Sequence, residues 1–366
     1  MSHLINWGII GLGNAARCFS TGFLNLTNAK LLAVASKNLE KLQYFKNNFH
    51  IEDNHAFTRY EDLLSCKDID IVYIALPNSM HSRWIINSAR NRKNILVEKP
   101  VTLNSEELRL ALLAVNNNAV FFTEGFLYRY HPQTFKIIEL IKQNNIGDIY
   151  KINISFGNDA LGGKRFFGYR LKRPNKNKRL FNKELGGGAI LDMGCYVVSM
   201  ATLLAKNINC EFTNPSIEVT NIKIGKTGVD EQASAKLHFH DELEINIEAS
   251  IINKLKNNLE IFGTKGKIKV DQPWFPNSES IITKTVNNIT NTVSIKTNLN
   301  IYTHQLNTIS DFIIRGKDKN YSIIKQDEMI DNMSILDKWK NCYKSFLSVN
   351  IFYFFFNLLS KVLIST

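Results

Sequence analysis

Residues 5–16 read INWGIIGLGNAA and set the architecture of the first half of the chain. A short apolar run, typical of a buried strand, leads into the pattern G-x-G-x-x-G/A, and a helix-like segment follows over residues 15–26. In such a unit Gly11 permits the tight turn, Gly13 lets the backbone approach a pyrophosphate, and Ala16 allows close packing of helix on strand. The N-terminus of the helix favours an anion at the same point. The predicted phosphate-binding turn consists of Gly11, Gly13, Asn14, Ala15 and Ala16.

Apolar runs and helix-like segments continue to alternate up to about residue 124. The apolar runs cover residues 5–10, 30–35, 69–76, 94–100 and 119–124. Strands that alternate with helices of about 10–15 residues indicate parallel βαβ units. Near-continuous apolar strands are typical of a sheet covered on both faces. The sequence therefore predicts an α/β protein whose residues 1–123 form a Rossmann domain with a parallel sheet.

The pattern changes to period two after Glu124. The alternating segments cover residues 149–156, 216–224, 232–240, 243–252 and 259–270. Helices are expected over residues 133–144 and from about Gly188 to Leu204. Alternation of this kind predicts an α+β domain with a mostly antiparallel sheet over residues 124–340.

The C-terminal residues 341–366 form an apolar tail of unknown role. Residues 346–364 read FLSVNIFYFFFNLLSKVLI, which is about the minimum length of a membrane-spanning helix. Asn350, Asn357 and Lys361 interrupt it and weaken that interpretation. We expect a packed terminal helix or a tail outside the fold, and membrane contact through the tail remains the alternative.

The composition is strongly basic. There are 45 Lys and Arg against 33 Asp and Glu, so the formal charge is +12. This charge is compatible with nucleic acid, an anionic membrane or an acidic small molecule, and equally with a lysine-rich composition of no functional meaning. Five cysteines are spread without a CxxC pair. We therefore expect neither disulfides nor a metal site, and a reducing, cytoplasmic location.

The end of the second apolar run indicates the type of cofactor. It reads VASKN over residues 34–38 and lacks the acidic residue that usually binds a free ribose 2′-hydroxyl. Ser36 can hydrogen-bond a 2′-phosphate and Lys37 can neutralise its charge. NADP(H) is therefore favoured and NAD(H) remains possible, since Lys37 can also be a solvated loop lysine.

Two further stretches contain candidate catalytic groups. ILVEKP, residues 95–100, brings Lys99 to the carboxyl end of a strand, where ligands bind in α/β sheets. LGGGAILDMGCY, residues 185–196, places Asp192 and Tyr196 four residues apart on one predicted helix face. An amine, a carboxylate and a phenol can bind a hydroxyl or carbonyl oxygen and exchange its proton. From spacing alone, Asp192 and Tyr196 can also be structural polar residues.

A basic run precedes the second of these stretches. Residues 164–183 contain nine Lys and Arg residues and no acid. The run is either a solvated loop or a surface that recognises an anionic substrate such as a nucleotide-linked sugar. Nucleic acid is not expected, because no recognition motif accompanies the run.

Five ordered blocks resemble the glucose–fructose oxidoreductase / inositol dehydrogenase / MocA (Gfo/Idh/MocA) family. They are GLGNAA, YIALPNSMH (73–81), ILVEKP, EGFLYRYHPQ (124–133) and ELGGGAILDMGCY (184–196). The resemblance spans about residues 4–340. It implies a Rossmann domain followed by an α+β domain whose open, mostly antiparallel sheet often mediates dimerisation, so we expect a homo-oligomer.

The resemblance also implies roles for individual residues. Lys99 is the catalytic lysine, and Asp192 and Tyr196 complete the site, with Tyr196 where many members have His. Pro77, Asn78, His81 and Glu98 match cofactor-binding positions, and Arg129 and Arg179 are assigned to the substrate. His81 can equally have a packing role.

Together these features predict an NADP(H)-dependent oxidoreductase. It would transfer a hydride to or from a secondary alcohol or ketone of a sugar, sugar derivative or polyol. Lys99 and Tyr196 would handle the proton, and a lowered lysine pKa would help oxidation. The alternatives are a dihydrodiol or xylose-type aldose dehydrogenase, and a non-catalytic NADPH-binding sensor.

Overall fold

The computed structural model describes residues 4–24, 26–162, 165–166, 169–170, 174–208, 214–239, 243–316 and 323–342, with backbone only for 165–166 and 169–170. Residues 343–366 of the expected apolar tail therefore lie outside the described residues. The same holds for Lys164, Lys172 and Arg173 of the basic run. Residues 341 and 342 belong to the last described helix.

The first half forms a parallel sheet with helices on its faces, as predicted, and the short strand Ala56–Phe57, which was not predicted, brings the number of strands to six. Its strands are β1 Ile5–Ile10, β2 Ala29–Ala35, β3 Ala56–Phe57, β4 Ile71–Ile74, β5 Asn94–Val97 and β6 Phe122–Glu124. Its helices are α1 Asn14–Ser20, α2 Leu39–Phe49, α3 Tyr60–Ser65, α4 His81–Arg90 and α5 Ser105–Asn117. The strand order is β3-β2-β1-β4-β5-β6, so the order reverses at β1. A crevice opens at such a switch point, outside the carboxyl ends of the strands.

The second half forms a mixed, mostly antiparallel eight-stranded sheet, in the order β10-β11-β12-β7-β13-β14-β15-β16. These strands are β7 Ile149–Gly157, β10 Ser216–Ile224, β11 Asp230–His238, β12 Glu244–Ser250, β13 Leu259–Gly263, β14 Gly266–Val270, β15 Glu279–Val286 and β16 Ile289–Lys296. Between β7 and β10 lies the short hairpin of β8 Arg165–Phe166 and β9 Tyr169–Arg170. The β12–β7 pair is parallel, and the other neighbouring pairs are antiparallel.

Two helices cover this sheet, and one of them leads to the site. They are α6 Pro132–Lys142 and α7 Cys195–Ile208. A π-helical turn, Ile190–Gly194, precedes α7, and the Asp230 carboxylate accepts the Ile190 N–H at 2.6 Å. The helical stretch Lys183–Ile208 is long and apolar enough to cross a membrane, but its 18-residue apolar window is entirely buried in the protein interior. Its apolar character is therefore explained by the core.

Two helices follow the second sheet: α8 Ile301–Arg315, and α9 over residues 326–342. Although α8 lies within the predicted second domain, it packs on the first sheet. The Trp7 indole donates to Ser310 Oγ at 3.0 Å, and Leu306 and Ile309 are buried in the same cluster as Trp7. The core of the first half therefore includes residues from the end of the chain.

Candidate active site

A cavity of about 850 Å³ opens at the carboxyl ends of the parallel strands. Its floor is the first sheet, and residues from the second half form its opposite wall. The predicted residues that line it are Gly11, Gly13, Asn14, Ala15, Ser36, Lys37, Pro77, Asn78, Glu98, Lys99, Arg179 and Tyr196. The fold therefore brings most of the predicted cofactor positions to one surface.

The phosphate-binding turn has the geometry that its sequence predicts. Gly11 has a φ of +90°, and a Cβ there would lie 2.7 Å from the Ala75 carbonyl oxygen. A Cβ on Gly13, at the N-terminus of α1, would meet no atom within 4 Å, so that backbone is open to a ligand. Ala16 is fully buried and does not line the cavity, so its role is packing. These residues fit the pyrophosphate of a dinucleotide.

The end of β2 forms the far end of the cavity and carries positive charge. Ser36 Oγ accepts the Asn38 N–H at 3.1 Å, which fixes the turn after the strand. Lys37 and Lys41 both line the cavity there. Two lysines and a hydroxyl at this position favour NADP(H), because they can pair with a 2′-phosphate. Lys41 was not predicted, although the Asn38 cap of α2 indicates that it falls in the first helical turn.

Lys99, Asp192 and Tyr196 meet at the opposite end of the cavity. Lys99 Nζ lies 3.0 Å from the Asp192 carbonyl oxygen and 3.4 Å from its Oδ1. The same ammonium lies 4.9 Å from the centroid of the Tyr196 ring. Asp192 is only 4 % exposed and does not line the cavity. It is therefore a counter-ion behind the lysine and not a group that faces the substrate.

Arg179 is a second cation on the same carboxylate. Its Nη2 donates to Asp192 Oδ1 at 2.8 Å, and its Nη1 lies 3.5 Å from Asn78 Oδ1. The Asn78 side chain also donates to the Gly186 carbonyl at 2.9 Å. Arg179 lines the cavity, but its charge is paired, so it is not a free anion-binding group. Within 174–183, it is the one basic residue on the cavity wall.

The charges in this cluster determine its protonation. Burial acts to lower the pKa of Lys99, but the charges of Asp192, Cys195 and Glu98 outweigh it, and the pKa is raised. Burial acts to raise the pKa of Asp192, and Lys99 with Arg179 lowers it below its ordinary value. Burial raises the pKa of Tyr196 well above its ordinary value. Burial alone therefore does not lower the pKa of Lys99, and these directions favour an ammonium on Lys99, a carboxylate on Asp192 and a neutral phenol on Tyr196.

Two buried acids support the strand that carries Lys99. The Tyr73 hydroxyl donates to Glu98, and burial raises the pKa of Glu98. The Val101 N–H donates to Glu124 Oε1 at 2.8 Å, and burial raises the pKa of Glu124 to about 8. These contacts fix the backbone on both sides of Lys99 and so orient its side chain.

Besides Ala16 and Asp192, two further predicted site residues, His81 and Arg129, do not line the cavity. His81 is fully buried, and its ring nitrogens lie 2.8 Å from the Pro100 carbonyl and 2.9 Å from the Leu76 carbonyl. It therefore packs the two loops together instead of binding cofactor. Arg129 is 2 % exposed and forms an ion pair with Glu328 of α9. Its assignment to the substrate is wrong, because a residue remote in sequence neutralises it.

A side lobe of about 320 Å³ adjoins Lys99 and Tyr196. Its other lining residues, none of them predicted, are Phe156, Asn158, Met193, Asn257 and Phe275. Ring centroids are 5.0 Å apart for Phe156–Tyr196 and 5.8 Å for Tyr196–Trp274. The lobe thus offers aromatic faces and two side-chain amides beside Lys99 and Tyr196. Its only sequence signal is the aromatic pair at 274–275.

Family models match both halves of the chain. The model described as "Oxidoreductase family, NAD-binding Rossmann fold" matches residues 5–126, and the GFO/IDH/MocA C-terminal domain matches residues 135–269. The chain is 32% identical over 275 residues to a trans-1,2-dihydrobenzene-1,2-diol dehydrogenase of Xenopus laevis, covering 74% of this chain and 77% of that protein. It is 28% identical over 274 residues to dTDP-3,4-didehydro-2,6-dideoxy-alpha-D-glucose 3-reductase of Saccharopolyspora spinosa, covering 74% and 76%.

Solved structures share the whole fold. KijD10, a 3-ketoreductase from Actinomadura kijaniata in complex with NADP and TDP-benzene, has a TM-score of 0.78 at 18% identity, covering 93% of this chain and 98% of that one. An aldose-aldose oxidoreductase from Caulobacter crescentus has a TM-score of 0.81 at 18% identity, covering 94% and 98%. With both domains matched in order, the chain belongs to the Gfo/Idh/MocA family of oxidoreductases.

Proposed function

We propose that this oxidoreductase uses NADP(H) to interconvert a secondary alcohol and a ketone on a sugar, sugar derivative or polyol. The observation that carries the proposal is the side lobe, where aromatic rings and amides adjoin Lys99 and Tyr196. Aromatic faces pack on the C–H face of a sugar ring, and amides hydrogen-bond its hydroxyls. Among the described residues, Arg179 is the one arginine on the cavity wall, and Asp192 holds it in an ion pair. The reacting ring is therefore proposed to be neutral.

The proton chemistry follows from the protonation of the cluster. NADP(H), when bound, supplies or accepts the hydride. In reduction, the neutral Tyr196 phenol donates to the carbonyl oxygen and passes its proton to it. The Lys99 ammonium stabilises the negative charge that develops on that oxygen and on the phenol. Asp192 holds the ammonium in place, and its charge keeps Lys99 protonated. Oxidation reverses these proton movements.

A substrate panel tests the proposal. The purified full-length protein is assayed with neutral sugars, ketosugars, nucleotide-linked sugars and trans-dihydrodiols, and NADPH absorbance is followed. We expect the highest kcat/KM with a neutral ring that carries several hydroxyls. NADPH binding without turnover on any of these compounds would instead favour the non-catalytic sensor.

A dihydrodiol dehydrogenase is the second candidate, because four aromatic rings surround Tyr196 and the named relative has this activity. Phe126, Tyr128, Phe156 and Trp274 all have centroids within 6.1 Å of the Tyr196 centroid. An aromatic diol would pack on the rings that line the side lobe, Phe156, Tyr196 and Phe275, and would rely little on the amides. Loss of Asn158 would therefore weaken sugar turnover and spare dihydrodiol turnover.

Three further proposals have weaker support. Tyr196 at the catalytic helix supports placement in the branch that has Tyr where other members have His. The free thiols of the four described cysteines support a reducing, cytoplasmic location. Ile281 and Ile289, exposed apolar side chains on neighbouring strands at the edge of the second sheet, support a homo-oligomer. Gel filtration with light scattering measures the oligomeric state.

A further inference from the structure

A second group of reactive side chains lies at the amino ends of β3 and β4. This is the edge of the sheet opposite to the dinucleotide cavity. His55 directly precedes β3, and Cys66 and Asp68 belong to the turn between α3 and β4. A ring nitrogen of His55, the Cys66 sulfur and a carboxylate oxygen of Asp68 all lie within 4.8 Å of one another. The fold has thus brought together a nitrogen, a sulfur and an oxygen donor.

The spacing of these donors is close to that of a metal site. Donor atoms around a tetrahedral zinc ion, at about 2.0–2.3 Å from it, are separated from each other by roughly 3.3–3.8 Å. His55 Nε2 lies 4.0 Å from Asp68 Oδ2, so a small inward movement of an exposed carboxylate suffices. The site would supply three protein ligands, and water would fill the fourth position.

The other nitrogen of the His55 ring strengthens this interpretation. His55 Nδ1 is buried and has no hydrogen-bond partner, while Glu52 Oε2 lies 3.8 Å away from it. A histidine that binds a metal usually donates its second N–H to a carboxylate, which fixes the ring and raises its basicity. Glu52 stands in this position behind the ring.

The turn that carries Cys66 and Asp68 is held by groups that leave the donor atoms free. Lys93 Nζ donates to the Cys66 carbonyl at 2.6 Å and to the Ile69 carbonyl at 2.8 Å. Asn6 Nδ2 donates to the Asp68 carbonyl at 2.8 Å. The donors are therefore preorganised, which reduces the entropy lost when an ion is bound. The carboxylates of Asp68 and Asp70 offset the charge of the Lys93 ammonium.

We propose that His55, Cys66 and Asp68 bind one borderline-soft divalent ion, with zinc as the natural occupant. A thiolate and an imidazole favour zinc over magnesium or calcium, which prefer oxygen ligands only. The ion would tie the start of β3 to the turn before β4 and stabilise that edge of the sheet. Because the site lies opposite to Lys99, it takes no part in hydride transfer. The cysteine spacing did not indicate it, since His55 belongs to a different segment.

Cobalt titration of the reduced full-length protein tests the site, because a cobalt–thiolate bond gives an ultraviolet charge-transfer band. We expect one equivalent of Co²⁺ to produce the band and zinc to displace it. Cys66→Ser should abolish the band, and Cys342→Ser, a control thiol on α9, should retain it. Glu52→Gln should weaken binding about 10-fold, as expected for a residue behind the ligand. NADPH turnover should be unchanged in the Cys66, Cys342 and Glu52 variants.

Thermal unfolding provides the second measurement. Zinc at 100 times its Kd should shift the unfolding equilibrium about 100-fold toward the folded protein, and this shift should vanish in Cys66→Ser. If Cys66→Ser does not fold, Asp68→Asn replaces it, because the Asp68 side chain is exposed. A band that survives Cys66→Ser, or a protein with no band at one equivalent, would overturn the proposal. A zinc shift of equal size in Asp68→Asn would also overturn it.

Discussion

The two ends of the cavity differ in what lines them: main chain at one end and side chains at the other. At the dinucleotide end, near Gly11 and Gly13, the wall is mostly main chain at a strand–helix turn. At the substrate end, the wall consists of large side chains such as Phe156, Tyr196 and Phe275, which come from separate segments. A backbone turn recognises the pyrophosphate that all dinucleotides share. Side chains can be exchanged without altering the fold, so substrate choice can change while cofactor binding is kept.

The largest effect should come from Lys99 and Tyr196, the proposed catalytic pair. Lys99→Met and Tyr196→Phe each remove a group that we propose to act on the reacting oxygen, so kcat should fall at least ~10²-fold. NADPH affinity, measured by fluorescence titration, should remain near that of the wild type. Lys178→Met and Tyr150→Phe are the matched controls, since both lie outside the cavity. Normal turnover by both catalytic variants would contradict the assignment.

The pH dependence of reduction should depend on Asp192. In the proposed mechanism, reduction requires the Lys99 ammonium and is lost as the pH rises through the Lys99 pKa, which Asp192 helps to raise. In Asp192→Asn the effect of burial prevails, so that pKa falls and the alkaline limb moves about 1–3 units lower. Profiles of kcat against pH measure the shift. Asp271→Asn, an exposed carboxylate on another strand end, should leave the limb in place. If the alkaline limb of the kcat profile stays in place in Asp192→Asn, the Lys99 ammonium is not the group on which reduction depends.

Two glycine substitutions should separate folding from cofactor binding. Gly11→Ala forces a Cβ into a positive φ and against the Ala75 carbonyl, so the free energy of unfolding should fall by about 1–3 kcal/mol. Gly13→Ala meets no atom of the protein, so its melting temperature should match that of the wild type. Its Kd for NADPH should nevertheless rise, because the new methyl occupies space beside the pyrophosphate. Equal NADPH affinity in Gly13→Ala and wild type would show that the turn does not contact the cofactor.

Lys37 and Lys41, at the end of the cavity next to β2, should make the protein prefer NADPH to NADH. Lys37→Ala and Lys41→Ala each remove a charged partner of a 2′-phosphate, so the Kd for NADPH should rise about 10-fold in each. The Kd for NADH should not change. Lys46→Ala, also on α2 but paired with Asp53, is the control. A parallel loss of NADH and NADPH affinity would indicate damage to the helix instead of lost recognition.

The smallest effect should come from one amide of the side lobe. Asn158→Ala removes a single neutral hydrogen bond to a substrate hydroxyl, so KM for a sugar should rise about 2–10-fold with kcat kept. Asn145→Ala, on an exposed turn, is the matched control. An unchanged KM would place the substrate hydroxyls elsewhere in the lobe.

The features that could be predicted from the sequence are those that a single short segment forms. Short motifs at strand and helix ends encode the glycine turn and the positions of Lys99, Asp192 and Tyr196, and in the structure these three residues lie close together. Strands β15 and β16 were missed because they are rich in Thr, Ser, Lys and Asn and, at the edge of the second sheet, little of either strand is buried.

Pairings between distant segments could not be predicted. Arg129 has the chemistry of an anion-binding group, but it forms an ion pair with Glu328 of α9. The two residues are 199 positions apart in the sequence, so no local pattern indicates the pair. His81 follows a loop that lines the cavity, yet its ring turns into the core to meet two carbonyl oxygens. The side lobe combines Phe156, Asn257 and Phe275, whose proximity depends on how the second sheet packs.

The return of α8 to the first sheet affects how the chain can fold during synthesis. The six parallel strands are complete once Glu124 has been made, but their cover also needs residues 301–315. The burial of Trp7 and Ile9 is therefore complete only after about 180 further residues have been synthesised. At about 5–20 residues per second, this delay lasts roughly 10–35 s. During that interval the nascent first domain exposes an apolar surface to which chaperones can bind. Folding of this domain is therefore complete only after residues 301–315 have been made.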